Sequence, residues 1–192
     1  QSRLPKMKSL LVAPFQLHDD MQARIAAVGD AAARGAVGRI VIKMNALTDV
    51  PLIEALIEAG QKGAQIDLIV RGACMLPARV AGLSDNIRVR SVIGRFLEHC
   101  RVFYFCADQD ESIYLSSADW MSRNMTRRIE LAWPVRDPAL RQRIIDECLI
   151  AYLHDGRDAW DLGADGQYHR VGLNAPGHGA QNALMQRYGV AS

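Results

Sequence analysis

A histidine before an apolar run is the residue of this sequence best suited to move a proton or a phosphoryl group. His99 stands in GRFLEHCRVFYF, with Glu98 beside it and Arg101 two residues later. Because imidazole titrates close to neutral pH, a ring in this position can exchange a proton under physiological conditions. Spacing alone also allows a structural role for His99. The other four histidines lie at predicted surface positions.

Arginines are concentrated in the same part of the chain. Of 23 basic residues, 19 are Arg and 4 are Lys, and nine arginines lie between residues 71 and 128, where there is no Lys. A planar guanidinium binds phosphate oxygens two at a time, so the cluster predicts a phosphate site. A GC-rich genome, which replaces Lys with Arg over the whole surface, is the alternative. The nine are Arg71, Arg79, Arg88, Arg90, Arg95, Arg101, Arg123, Arg127 and Arg128.

Four of these arginines are candidate phosphate contacts on position alone. Arg88 and Arg90 alternate along a predicted strand and so share one face, which suits an extended phosphate chain. A solvated strand face is the alternative for this pair. Arg95 and Arg101 flank His99 and are expected to contact phosphate groups as well.

Short polar segments between the later strands offer weaker candidates. Ser117 lies in SSADW, where hydroxyl groups either cap the backbone or contact phosphate oxygens, and we include it as a candidate phosphate contact. Asp108, Asp110 and Glu111 are close enough in sequence to suggest Mg²⁺, but three acids at a hairpin tip are typical of a solvated turn. We therefore predict no metal site in this chain. Neither GxxxxGK[ST] nor GxGxxG occurs, so an orthodox nucleotide-binding loop is not expected.

Apolar patterning predicts an α/β fold for the first part of the chain. Near-continuous apolar runs at 8–14, 38–45 and 65–70 alternate with helical spacing at 19–34 and 50–60. This order is typical of parallel βαβ units covered on both faces.

The second part of the chain predicts a different connectivity. A long loop at 71–86 leaves the third strand, and the strand-like runs that follow have a spacing that favours hairpins. Those runs are 87–93, 101–107, 112–117 and 128–135. A helix is expected from Asp137, with Pro138 at its first position, to about Leu153. We therefore expect a domain at 1–155 and a tail at 156–192 packed on it, helical only at 181–188.

Composition excludes several classes of protein. With 49% hydrophobic residues and a net charge of +2, the 192-residue chain is an ordinary globular domain and not a basic nucleic-acid coat. The sequence shows no transmembrane run or signal peptide, and we expect a cytoplasmic location, with membrane association of a longer chain left open. Gln1 in place of an initiator Met indicates a piece of a longer polypeptide. Four Cys without zinc-like spacing predict reduced, buried thiols.

Several long strings resemble the C-terminal catalytic domain of the large polyphosphate kinase family, whose catalytic half is phospholipase-D-like. They are KSLLVAPF, IVIKMNALTD, IDLIVRGACML, GLSDNIRVRSVIGRFLEHCRVFYF and SSADWMSRN, in order over about 8–171. His-x-Arg followed by SSADW also resembles a degenerate half of the phospholipase D pattern. One departure is Pro-Ala-Arg at 77–79, where the family more often has Arg-Pro-Gly, and we expect that loop to keep its role with a shifted guanidinium.

The resemblance implies a phospholipase-D-like mixed sheet flanked by helices, one half of a two-domain catalytic unit. Its implied activity is reversible transfer of the terminal phosphate of ATP to inorganic polyphosphate through a phosphohistidine. The phosphorylated histidine and most of the Mg²⁺ binding are implied for a preceding domain. For this chain, the resemblance assigns Arg71 as a ligand of ATP or polyphosphate and His99 as the second active-site histidine. It assigns Arg128 as a further phosphate contact.

The implied partners are ATP or ADP, inorganic polyphosphate, the N-terminal part of the same enzyme and a second copy of the full-length chain. Specific nucleic-acid binding is not expected, and the isolated chain is expected to be inactive. Two alternatives stay open. One is a phospholipase-D-like phosphodiesterase formed by a dimer of such halves, against which the absence of His-x-Lys argues. The other is a non-catalytic polyanion-binding or RNA-binding domain, for which 6% aromatic residues offer few stacking platforms.

Overall fold

The computed structural model describes residues 10–172 and 178–189, which form one mixed β-sheet with helices on both faces. The strands are β1 (Leu11–Ala13), β2 (Gly38–Met44), β3 (Gln65–Val70), β4 (Ile87–Val92), β5 (Arg101–Ala107), β6 (Asp110–Ser116), β7 (Glu130–Pro134), β8 (Ala159–Leu162) and β9 (Tyr168–Arg170). The helices are α1 (Leu17–Ala33), α2 (Val50–Gln61), α3 (Ser122–Thr126), α4 (Pro138–Ile144), α5 (Ala151–Leu153) and α6 (Ala180–Arg187). A π-helical segment, Ile145–Ile150, joins α4 to α5.

Parallel strands form the centre of the sheet and antiparallel strands extend it on both sides. The order is β1-β7-β6-β5-β2-β3-β4-β8-β9. The pairs β2–β3 and β3–β4 are parallel, whereas β5 runs antiparallel to β2. The central strands are apolar on both faces because helices cover both.

The first face of the sheet is covered by α1 and α2. The rings of Phe103 and Trp120, both fully buried, lie with their centroids 5.3 Å apart at the centre of this core. The helices contribute Leu17, Met21, Ile25, Leu52 and Leu56, all fully buried. The core on this face is formed by apolar side chains of the sheet, α1 and α2. The polar residues that follow the strands are therefore available to form a site.

Aspartates start two of the predicted helices at the expected positions. Asp49 accepts a hydrogen bond from the backbone N–H of Leu52 at 3.2 Å, and Asp137 accepts one from that of Leu140 at 2.8 Å. Each helix has proline in its first turn. Because such caps satisfy N–H groups that lack an intrahelical partner, they fix where the helix begins.

The second face is covered by α4, the π-helical segment and α5. Val41, Ile69 and Val102 of the sheet pack with Leu149 of the π-helical segment and Tyr152 of α5. Since side chains alternate along a strand, the polar residues of β2, β3 and β4 that lie between first-face core positions also belong to this face. They are Arg39, Lys43, Asp67, Arg88 and Arg90.

The α/β fold with a mixed sheet flanked by helices confirms the predicted fold class. The predicted hairpin character of the later strands is confirmed for β5, β6 and β7. It is wrong for the run 87–93, because β4 pairs in parallel with β3 and is not a neighbour of β5. The first nine residues of the expected 1–155 domain, including Lys8 of the first predicted strand, lie outside the described residues. Within the segment expected as a tail, β8 and β9 extend the main sheet. Their sequences, AWDL and YHR, are too short to carry a clear strand signal.

None of the helices in residues 10–172 and 178–189 has the length and apolar character needed to cross a membrane.

Candidate active site

One edge of the sheet gathers the ends of six strands. The carboxyl ends of β2, β3 and β4 lie there, and we call it the carboxyl edge. β5 begins at this edge, because Val102 pairs with Lys43 near the end of β2. β6 ends there and β7 begins there, because Ser116 pairs with both Arg101 and Ala132. Side chains far apart in sequence therefore meet at the carboxyl edge.

Arg71 and Asn45 fix the backbone immediately before His99. Arg71 directly follows β3, and its Nη1 donates to the carbonyl oxygen of Glu98 at 2.7 Å. Asn45 directly follows β2 and is buried. With its amide nitrogen turned toward the same carbonyl, it donates there at 2.7 Å. Residues from adjacent parallel strands thus hold the loop 93–100 against the carboxyl edge.

Arg101 fixes the backbone on the other side of the loop. Its Nη1 donates to the carbonyl oxygen of His99 at 3.0 Å. Its Nη2 lies 3.0 Å from Oδ2 of Asp119, a buried carboxylate that also accepts a hydrogen bond from the backbone N–H of Asn45 at 2.7 Å. The guanidinium of Arg101, predicted as a phosphate contact, is therefore also part of the frame that holds His99.

The His99 ring itself stands free at this edge. His99 is exposed, and within residues 10–172 and 178–189 its imidazole makes no hydrogen bond or ion pair. A structural histidine of the core would be buried with its ring nitrogens satisfied, as buried polar groups generally are. An anchored backbone with an unengaged ring is the arrangement expected of a group that acts on a ligand.

Three further predicted residues lie at or next to the carboxyl edge. Ser117 follows β6, where its hydroxyl donates to Glu130 and accepts from the backbone N–H of Leu131 at 3.0 Å. Arg128 is exposed two residues before Glu130. Arg95 is exposed in the loop 93–100, and its guanidinium lies 5.7 Å from the centroid of the Phe96 ring. Ser117 thus has a capping role, whereas the two arginines face solvent.

Arg88 and Arg90 lie away from this edge. Arg88 binds Asp67 through Nε at 2.8 Å, and Arg90 binds Asp161 through Nε at 2.7 Å and also donates to the carbonyl oxygens of Leu153 and Asp155. The two side chains share one face, as predicted, but line a cavity of about 30 Å³ with Arg79 and both carboxylates. The structure therefore does not bring them together with Arg71 and His99.

Positive charge exceeds negative charge at the carboxyl edge. Two of its carboxylates pair with cations, Glu98 with Lys43 at 2.7 Å and Asp119 with Arg101 at 3.0 Å. A third, Glu130 at the start of β7, accepts a hydrogen bond from the Ser117 hydroxyl. Within the described part of the chain, Arg71, Arg95 and Arg128 have no carboxylate partner. Surplus positive charge at a solvent-exposed edge attracts polyanions.

The acidic residues predicted at a hairpin tip lie in and directly after the β5–β6 turn. Asp108 occupies the β5–β6 turn with φ 59°, and Glu111 pairs with Arg141 at 2.6 Å. In residues 10–172 and 178–189 no three His, Cys, Asp or Glu side chains are grouped so as to hold a metal ion.

All four cysteines are free. The prediction of buried thiols is wrong, because Cys100 is exposed in the loop beside His99 and the other three cysteines are only partly buried.

A hydrogen bond with Cys148, followed by the nearby Lys43 charge, lowers the pKa of Cys100 to about 6. The pKa of Cys148 is raised by the same contact and by burial. Cys100 is therefore largely a thiolate at neutral pH, and it is the residue next to His99.

Sequence reasoning missed two contributors to this edge, Lys43 and Asn45. Each carried a signal, since both interrupt or end the apolar strand IVIKMN, where a polar side chain requires a buried partner. The partners, Glu98 in the loop 93–100 and Arg101 at the start of β5, are far from β2 in sequence, and no local pattern links them to it.

Comparison with known proteins gives consistent matches along the chain. Residues 10–182 match the family model described as "Polyphosphate kinase C-terminal domain 2". Polyphosphate kinase of Paraburkholderia phytofirmans is 48% identical over 184 residues, which cover 96% of this chain and 26% of that protein. The crystal structure of polyphosphate kinase from Porphyromonas gingivalis superposes with a TM-score of 0.88 at 34% identity, covering 97% of this chain and 29% of that one.

A more distant likeness concerns the fold alone. Nuc from Salmonella typhimurium, a phospholipase D family member, matches with a TM-score of 0.54 at 16% identity, over 78% of this chain and 97% of that chain. The chain therefore has a phospholipase-D-like fold and spans about a quarter of the length of the curated relatives it matches.

Proposed function

This chain belongs to the polyphosphate kinase family as its C-terminal domain, and we propose that it supplies one half of the active site of an ATP:polyphosphate phosphotransferase. The reaction is reversible transfer of the terminal phosphate of ATP to inorganic polyphosphate. The other half, with the histidine that becomes phosphorylated, belongs to the preceding part of the full-length polypeptide.

The observation that carries this proposal is the anchoring of His99. Arg71 holds the carbonyl oxygen before it and Arg101 holds its own carbonyl oxygen, at 2.7 and 3.0 Å. The backbone is thus fixed on both sides, while the ring remains exposed. This arrangement orients an imidazole toward an anionic ligand without engaging its nitrogens.

The chemistry follows from what phosphoryl transfer requires. The moving phosphoryl group is stabilised mainly by positioning and by neutralisation of charge on its oxygens. A guanidinium has five N–H donors, and Arg71 uses one of them on Glu98, so its others can bind phosphate oxygens. His99 donates a hydrogen bond or a proton to the leaving oxygen and accepts it back in the reverse direction. Arg128 and Arg95 contact phosphates further along the chain.

Magnesium and the remaining partners are assigned outside this domain. On the family resemblance, we assign the Mg²⁺ that accompanies ATP mainly to the preceding part of the enzyme. ATP or ADP and inorganic polyphosphate are the proposed ligands. The full-length enzyme is proposed to be a homo-oligomer in the cytoplasm.

Replacement of His99 in the full-length polypeptide tests this proposal. His99→Ala is expected to lower kcat for polyphosphate synthesis by about 10² or more, the usual effect of losing an acid–base group. Its thermal unfolding temperature should be unchanged, because the ring is exposed. His169→Ala, an exposed histidine on β9, is the matched control.

Two results would overturn the proposal. Wild-type kcat in His99→Ala would remove the active-site role of His99. Conversion of ATP to polyphosphate by the isolated 192-residue chain would show that the domain is not half of a site.

A further inference from the structure

The carboxylate next to His99 is buried although His99 itself is exposed. The side chain of Glu98 is 11% exposed, and its Oε2 lies 2.7 Å from Nζ of Lys43, which is 3% exposed. Removing two charges from water is costly, and their mutual attraction offsets this cost only when the geometry is good and the other oxygens are satisfied. An ion pair at this depth therefore needs further donors around it.

Two further side chains complete the shell around Glu98. The hydroxyl of Tyr152 donates to Oε1 at 2.8 Å, and the amide nitrogen of Gln181 donates to the same oxygen at 2.6 Å. Nζ of Lys43 also lies 3.1 Å from the centroid of the Tyr152 ring. Burial and the nearby Glu98 charge raise the pKa of Tyr152, so its hydroxyl remains a donor. The donors come from β2, α5 and α6.

Gln181 makes a second contact with the same loop. Its amide oxygen accepts from the backbone N–H of Phe96 at 2.8 Å, and its amide nitrogen donates to the carbonyl oxygen of Phe96 at 2.8 Å. The helix that carries it is itself fixed, because Asp155 accepts from the backbone N–H of Ala180 at 2.7 Å. One side chain of α6 thus holds both the backbone at 96 and the carboxylate at 98.

These contacts add to the restraint that Arg71 places on the same residue. The carbonyl of Glu98 is held by Arg71, while its side chain is held by Lys43, Tyr152 and Gln181. With main chain and side chain of residue 98 both fixed, the adjacent Cα of His99 has little freedom. The exposed ring consequently projects from a constrained backbone.

We propose that Glu98 and Gln181 are positioning residues for His99, so that the C-terminal helix α6 is part of the catalytic unit. The inference rests on the proposed function, since it assigns these residues to the placement of the same histidine. Neither side chain is proposed to touch the substrate. Their effect is to keep the imidazole within reach of the leaving oxygen, where a misplacement of about 1 Å can cost about 10²-fold in rate.

The experiment replaces Gln181 in the full-length polypeptide. Gln181→Met keeps the length and approximate volume of the side chain but removes all its hydrogen bonds to Phe96 and Glu98. We expect kcat to fall about 10- to 100-fold, with KM for ATP changed by less than about threefold, because phosphate-binding arginines remain in place. Gln186→Met, an exposed glutamine of the same helix, is the matched control and should keep wild-type kcat.

A second variant guards against a folding defect in the first. Glu98→Gln keeps an acceptor for Tyr152 but removes the charge that pairs with Lys43, and it is also expected to lower kcat more than it alters KM. Thermal unfolding of each variant is recorded, and kcat is measured well below the transition. A variant that lowers only the unfolding temperature and keeps wild-type kcat has lost packing, and that result in both variants overturns the inference.

The outcome is separable from failure of the proposed function. Loss of activity in His99→Ala with full kcat in Gln181→Met and Glu98→Gln would overturn the positioning role and leave the proposed function intact. Full kcat in all three would overturn both. Reduced kcat in His99→Ala and in both positioning variants supports both.

Discussion

Arg101 and Asp119 form a two-point ion pair at the carboxyl edge, with Nε 3.2 Å from Oδ1 and Nη2 3.0 Å from Oδ2. Both side chains are nearly buried, at 13% and 12% exposure. The remaining guanidinium nitrogen of Arg101, Nη1, donates to the carbonyl oxygen of His99. The pair therefore links the end of β6 to the backbone of the proposed catalytic histidine.

We expect Arg101→Met to impair both stability and turnover. Removing the guanidinium leaves Asp119 buried without its counter-charge, which should cost about 3 kcal/mol in the free energy of unfolding. It also frees the His99 carbonyl, so kcat should fall about 10-fold or more. Denaturant unfolding and steady-state kinetics measure the two effects.

The double variant Arg101→Met with Asp119→Asn separates these effects. Without an uncompensated charge, it should be more stable than Arg101→Met alone, while kcat stays low because His99 remains unanchored. Recovery of kcat together with stability would show that Arg101 matters only for the ion pair.

Arg71 is expected to act on ligand affinity. Arg71→Ala removes donors that the proposal directs at phosphate, and charge-assisted hydrogen bonds contribute about 1.5–3 kcal/mol each. KM for ATP should therefore rise about 10-fold or more. Initial rates at several salt concentrations should also show a weaker ionic-strength dependence of KM than in the wild type. An unchanged KM and salt dependence would limit Arg71 to holding the loop.

The sequence predicted the central strands and the first two helices because their signals are local. β3 at Gln65–Val70 and β5 at Arg101–Ala107 have the predicted bounds, since each is a mostly apolar run followed by polar residues. The π-helical segment Ile145–Ile150 was not predicted, because its apolar spacing resembles that of an ordinary helix. Strand β8 depends on pairing with β4, and β9 on pairing with β8, and local sequence patterns do not show these long-range contacts.

The residues of the candidate site were likewise predictable in part, whereas the contacts between them were not. His99 is identifiable because it precedes an apolar strand, whereas the role of Arg71 comes from the family resemblance. Arg88 and Arg90 were correctly placed on one face of a strand, but their partners Asp67 and Asp161 lie on neighbouring strands. The sequence shows that an arginine is charged, but it does not show which carboxylate the arginine pairs with in the folded chain. The Glu98 shell likewise requires Gln181 from the far end of the chain.

Arg90 is expected to matter for stability and not for substrate binding. Its guanidinium binds Asp161 and the carbonyl oxygens at the end of α5, and its side chain is only 15% exposed. Arg90→Ala should lower the free energy of unfolding by about 2 kcal/mol or more, with KM for polyphosphate unchanged below the unfolding transition. Arg88→Ala is the milder control, because Asp67 keeps Arg39 as a partner. A raised KM with unaltered stability would instead make Arg90 a phosphate contact.

Cys100 is expected to react with iodoacetamide at unusually low pH. Its pKa is lowered to about 6 by the hydrogen bond with Cys148 and by the Lys43 charge. The thiolate, which is the reactive form, is therefore abundant above pH 6 and lost as the pH falls below it. The alkylation rate, followed by mass spectrometry of the Cys100 peptide, should reach half its plateau at about pH 6.

Two comparisons establish the cause of this reactivity. Burial raises the pKa of Cys74, so that thiol should react only at higher pH in the same sample. Cys148→Ala removes the hydrogen bond and should move the Cys100 midpoint upward, toward the ordinary thiol range of about 8.5. Because Cys100 adjoins His99, alkylation should also block turnover in the full-length enzyme, and polyphosphate should protect against it. A Cys100 midpoint in the ordinary range in the unmodified protein would contradict the assigned contact with Cys148.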